Sequence, residues 1–186
     1  GRRPVAAPVA EALGAPLDIA LVRKIGCPGR EELAAGALAE SGEVVRNADV
    51  IRGLGLSDDD LAPVIEKERR VIAERAERYR GDRPPVALAG RDAVIVDDGI
   101  ATGATLRAAL KGVRAQGPSS VTVAVPVAPE EAEAEFRGAA DHWVCLSVPR
   151  PFIAVGAHYD RFDQTTDDDV LRALDDARGR GQGGTP

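Results

Sequence analysis

Val94-Ile95-Val96-Asp97-Asp98-Gly99-Ile100-Ala101-Thr102-Gly103-Ala104-Thr105 is the stretch on which the reading of this chain turns. An apolar run ends in two acids, a loop of small residues follows, and a helix is expected from Thr105. In open α/β sheets ligands sit at the carboxyl ends of the strands, which is where these acids fall. Gly103, with the small Ala101 and Ala104, lets backbone N–H groups come close to an anion. The amino terminus of the helix adds unpaired donors and a partial positive charge, and Thr102 and Thr105 add hydroxyls. The loop is built for one phosphate. Asp97 and Asp98 cannot bind that phosphate themselves; they need hydroxyls or a divalent cation, and a sugar attached to the phosphate supplies hydroxyls. Together the two halves describe a ribose 5-phosphate site. A P-loop is excluded because the loop has no lysine, and the dinucleotide fingerprint because Gly99 and Gly103 are its only glycines. The plain alternative is a strand–turn–helix whose aspartates only cap the helix.

Downstream, the same alternation continues. Strands are expected over 93–96, 121–125 and 143–147, and helices over 105–116 and 129–137, which implies βαβ units and a parallel sheet. A last helix over 166–178 is capped by Thr165 or Thr166 ahead of an acidic first turn. Upstream, Val5, Val9 and Leu13 recur every four residues before Gly14, so 4–13 reads as a short helix. The apolar run 17–22 reads as a strand, and 25–46 as a long loop with a hairpin through 35–45. From 58–60 a long helix carries Leu61, Val64, Ile65, Val71, Ile72 and Tyr79 on one face, with Glu66/Arg70 and Glu74/Arg78 pairs on the other. One domain over 1–178 and a Gly-rich, disordered tail over 179–186 are expected.

The composition bounds the function. A chain of 186 residues fits one domain, and 44% apolar with 29% charged residues is globular, not fibrous or disordered throughout. With 3% aromatics and no Met, the core must come from Val, Leu, Ile and Ala. A net charge of -6 argues against broad binding to nucleic acid or anionic membrane. Cys27 and Cys145 make neither a disulfide framework nor a metal-ligand spacing and suit a reducing cytoplasm. No apolar run approaches the roughly 20 residues of a membrane span, and the start does not read as a signal peptide. His142 and His158 lack metal-binding partners in sequence, and Trp143 reads as core.

Residues 94–105 resemble the phosphoribosyl diphosphate signature of type I phosphoribosyltransferases. Val22-Arg23-Lys24-Ile25-Gly26 resembles the Arg-Lys pair that such enzymes often carry after a strand, ahead of a mobile loop. Gln164–Thr166 and the run Val125-Pro126-Val127-Ala128-Pro129 suggest a bacterial branch of the family. The resemblance implies a Rossmann-like parallel-sheet domain that transfers phosphoribosyl from phosphoribosyl diphosphate to a small-molecule acceptor, with a nucleobase as one candidate, and releases pyrophosphate. It implies that Asp97 and Asp98 hold the ribose hydroxyls, directly or through Mg²⁺, and that Ala101, Thr102, Gly103, Ala104 and Thr105 hold the 5-phosphate. Arg23 and Lys24 then contact the pyrophosphate; the alternative for them is an exposed basic pair. A lid is needed to keep water from the activated sugar, and 26–46 is the candidate, or else an ordinary surface hairpin. A cytoplasmic protein, a possible homodimer, and no nucleic-acid or membrane partner complete the expectation.

Departures from the family pattern carry information too. Enzymes acting on 6-oxopurines often place an acid immediately before the Thr-Gly; here Ala101 stands there, which disfavours hypoxanthine and guanine. Phe152 reads either as core or as a platform on which an acceptor base stacks. In the family, a core strand and a glycine-containing pyrophosphate loop precede the helix that 4–13 resembles. Gly1 and Arg2 stand where that loop ends, with Arg2 where a second glycine is usual, so Arg2 either adds a cation or hinders backbone approach. The resemblance thus implies a truncated form missing its first core strand, with two sheet edges exposed. Two other readings stay open: a non-catalytic regulator that binds phosphoribosyl diphosphate, and an inactive fragment. Against the regulator stands the lack of a helix-turn-helix or strongly basic segment.

Overall fold

The structure is a computed structural model that describes residues 4–163 and 165–181. Helix α1 (Ala6–Leu13) leads into three strands, β1 (Val22–Cys27), β2 (Arg30–Ala39) and β3 (Val44–Arg46). Helices α2 (Ala48–Leu54) and α3 (Asp58–Arg80) follow. The second half runs β4 (Asp92–Val96), α4 (Ala104–Arg114), β5 (Ser120–Val127), α5 (Ala132–Phe136), β6 (His142–Ser147), a 3₁₀ turn over Val155–His158, and α6 (Asp167–Gly181).

The second half is the expected parallel sheet, in the order β4-β5-β6, with Val96 beside Ala124 and Ala124 beside Val144. Strand β5 alternates, and Val121, Val123 and Val125 meet Leu106, Leu110 and Val113 of α4 and Phe136 of α5. The first half is a separate antiparallel sheet, β1-β2-β3. Strands β1 and β4 each end their sheet, so no ladder joins the two among the described residues.

Helix α4 fills the space between the sheets, and its sequence explains how. Its bulky residues face β5, while Ala108, Ala109 and Gly112 are buried on the other side. A β-carbon on Gly112 would lie 2.8 Å from Ser41 Oγ and 3.0 Å from Ala39 Cβ, so only glycine permits this approach. Lys111 completes the seam, donating to the Val44 carbonyl at 3.2 Å and pairing with Glu43 at 3.0 Å.

Several expectations need correction. The hairpin expected through 35–45 is present as β2–β3, but the rest of 25–46 is not a loop: β1 pairs with β2 in a second hairpin, and Ile25, Cys27, Ala35 and Leu38 pack with Leu61 and Ile72 of α3. Within the candidate lid, Cys27 and residues 35–39 are buried, and the continuously exposed part is the tip at 28–33. The strand expected at 17–22 starts only at Val22, because Asp18 spends its carboxylate on Arg80 and on the amides of Ile19 and Val86. Helix α2, which carries the Asn47 cap, was not expected at all. Helix α3 starts behind a Ser57–Asp60 capping box and keeps the Glu66–Arg70 pair, but Arg78 pairs with Asp167 of α6 at 2.5 Å instead of Glu74. Val71 lies outside the packed face of α3. Thr166 caps α6, its hydroxyl accepting from the Asp169 amide at 3.2 Å. That helix runs to Gly181, beyond the expected start of the tail at residue 179; residues 182–186 lie outside the described residues, as does Arg2.

Candidate functional site

The β4 ladder ends at Val96, and the chain then turns across the carboxyl end of β5. The Asp97 amide donates to the Ala124 carbonyl at 3.4 Å, and the Ile100 amide to the Val127 carbonyl at 3.1 Å. Between these anchors stand the two acids. The Asp98 amide donates to Asp97 Oδ1 at 2.9 Å, and among the described residues neither carboxylate is paired with a cation. Burial first, and the neighbouring Asp98 second, push the Asp97 carboxyl up to about 6. Burial also raises that of Asp98. Two like charges held side by side without a counterion are an arrangement that a ligand can relieve.

The loop enters α4 through Gly103, whose φ of +70° is left-handed. A β-carbon there would stand 2.7 Å from the buried Phe136 ring, so the position excludes every other residue on two counts. No side chain caps α4, which leaves the amides of its first turn without intrahelical partners. Ala101, Thr102 and Thr105 are exposed, Gly103 is buried, and Ala104 is half-buried. The structure thus brings Asp97, Asp98 and 101–105 together at one strand–helix junction.

The basic pair lies on β1. Arg23 Nε donates to Glu68 Oε2 at 2.7 Å and ties β1 to α3, while Lys24 is exposed. Neither forms a hydrogen bond or ion pair with 97–105 among the described residues. Phe152 stacks on His158 with ring centroids 5.7 Å apart. Trp143 is part of the packing, as expected, stacked on Phe136 at 6.0 Å.

Three residues at the site carried no sequence signal. Tyr159 donates its hydroxyl to the Asp98 carbonyl, and its own ionisation is raised by burial and then by the charges of Asp98 and Asp97. Phe136 lies under Gly103, and Arg107 donates to the Thr102 carbonyl at 3.1 Å. Each lies outside the motif over 94–105.

A family model described as "Phosphoribosyl transferase domain" matches residues 3–161. The chain belongs to this family. Two curated phosphoribosyl transferase relatives from Mycobacterium tuberculosis are 49% identical over 177 residues, covering 95% of this chain. They are "Putative phosphoribosyl transferase MT0597" of strain CDC 1551 / Oshkosh and "Putative phosphoribosyl transferase Rv0571c" of strain H37Rv. The chain spans 40% of the length of each. The crystal structure of TT1426 from Thermus thermophilus superimposes with a TM-score of 0.75 at 48% identity, over 91% of this chain and 80% of that one. The α/β phosphoribosyltransferase fold follows. Among the described residues no helix is long and apolar enough to cross a membrane.

Proposed function

We propose that the junction after β4 binds phosphoribosyl diphosphate and that the protein transfers its phosphoribosyl group to a small-molecule acceptor, releasing pyrophosphate. One observation carries this reading: an acid pair without a cation stands beside a glycine-entered helix start whose amides are uncapped. In the reaction the bond from the anomeric carbon to the pyrophosphate oxygen breaks, and a bond from that carbon to the acceptor nucleophile forms. The amides of the loop hold the 5-phosphate, and Asp97 and Asp98 hold the ribose diol and oppose the positive charge that develops on the ring. Arg23 and Lys24 receive the departing pyrophosphate on the strength of the resemblance alone.

The donor set suits Mg²⁺. Carboxylate oxygens are hard ligands, and among the described residues no group of three or more His, Cys, Asp or Glu could enclose an ion. Asp97 and Asp98 would hold it, directly or through water, with ligand oxygens supplying the rest; when bound, it neutralises phosphate charge. Ala101, where a purine-directed acid would stand, supports an acceptor other than a 6-oxopurine. Phe152 is our candidate platform for that acceptor.

Pyrophosphate release measured across a panel of acceptors, with Mg²⁺ and phosphoribosyl diphosphate, tests the reaction. Asp97→Asn with Asp98→Asn should cut kcat/KM by about a hundredfold or more, equivalent to about 3 kcal/mol. Full activity in that double variant sinks the site assignment. Stabilisation of the parent by phosphoribosyl diphosphate without turnover on any acceptor would favour a binding protein instead.

A further inference from the structure

Arg107 touches both peptide carbonyls that lead into α4. Its guanidinium donates to the Thr102 carbonyl at 3.1 Å, and its backbone amide donates to the Gly103 carbonyl at 2.9 Å. The second bond is the ordinary first bond of a helix and any residue would make it. The first needs a long, fork-shaped donor. In a trans peptide the N–H points opposite the C=O. Turning the Thr102 carbonyl toward Arg107 therefore aims the Gly103 N–H the other way, and turning the Gly103 carbonyl does the same for the Ala104 N–H.

Helix α5 holds the guanidinium in this role. Glu135 pairs with it, and the Phe136 ring lies 5.5 Å from its central carbon. The same ring closes the space above Gly103. Arg107 is thus fixed by an acid and an aromatic on one element while it holds the loop on another. Because Glu135 offsets its charge, it works by geometry more than by net attraction. Without it, the Thr102 carbonyl would be free to turn its lone pairs toward a bound anion.

We propose that Arg107 is the positioning residue of the anion loop, aligning the Gly103 and Ala104 amides on a 5-phosphate. This rests on the reading of 101–105 as the ribose 5-phosphate site. The full chain, Arg107→Gln and Arg107→Lys are titrated with ribose 5-phosphate, and their ligand-free urea midpoints are compared. Arg107→Gln should bind ribose 5-phosphate about tenfold more weakly, because the loop must then be held for the anion without this hydrogen bond, with the urea midpoint lowered only slightly because the side chain is 40% exposed. Arg107→Lys should recover part of that affinity. Unchanged affinity in Arg107→Gln, or a loss that tracks a markedly lowered midpoint and is not recovered by lysine, overturns the positioning role and leaves the site reading standing. A parent chain that binds no ribose 5-phosphate overturns the site reading and this inference with it.

Discussion

Two pairs of carboxylates in this protein meet opposite fates. Asp18 and Glu40 converge on Arg80, whose side chain is 6% exposed, at 2.8 and 2.5 Å. The third arm of the guanidinium reaches the Ile19 carbonyl at 2.8 Å, and the second oxygen of Asp18 takes the Val86 amide at 2.9 Å. Every strong group there has a partner within the chain. At the end of β4, Asp97 and Asp98 have only the Asp98 amide between them, and burial pushes both carboxyls upward, that of Asp97 further because of the neighbouring Asp98. The first pair is a finished joint between α3 and the segment ahead of β1. The second has no such counter-charge among the described residues. The contrast teaches that an acid pair without a counter-charge from its own chain is a candidate for a ligand.

Arg80→Ala should turn the finished joint into a second incomplete one, and it carries the largest expected effect. With Asp18 and Glu40 left facing each other, the unfolding free energy should fall by about 3–5 kcal/mol, read from urea titration at pH 7. A loss under about 1 kcal/mol would place the joint with ordinary surface ion pairs. Asp97→Asn tests the opposite end. The folded carboxyl titrates at about 6, above the ordinary 3.8, so the unfolded chain gives up its proton first as pH rises. The native state is penalised fully above about pH 6 and not at all below 3.8. The variant should gain about 2–3 kcal/mol over the parent at pH 8 and nothing at pH 3.5, while losing turnover. Equal stability at both pH values would break the comparison. Glu40→Gln sharpens it with the smallest effect. This side chain is 32% exposed, and the amide oxygen can still accept from Arg80, so about 1 kcal/mol should be lost in the same titration.

The strand–helix junction was legible because its signals are local. An apolar run, two acids, Thr-Gly and a helix-forming stretch follow one another within a dozen residues, and the parallel half of the fold grows from them. Within 25–46 the hairpin through 35–45 was legible, but the pairing of β1 with β2 was not, because what buries these strands is the distant helix α3. A β-carbon on Gly36 would lie 2.2 Å from the Val45 carbonyl, so the close pairing of β2 and β3 depends on a residue that lowers the strand signal. The run at 17–22 misled because its apolar pattern says nothing of Arg80, which comes from the far end of α3 and claims Asp18. Phe136 and Tyr159 escaped for the same reason: they reach the junction from other elements through the tertiary fold. Arg23 shows the limit from the other side, since its motif identified a conspicuous cation without showing that Glu68 would hold it.

Helix α4 is held on both faces, by bulky residues against β5 and by a glycine against β2 and the turn that follows it. The proposed anion loop is the amino end of that helix. Its order is therefore settled when the chain folds, before any ligand arrives. Conformational entropy that a floppy loop would surrender on binding has already been surrendered, and affinity suffers less from it.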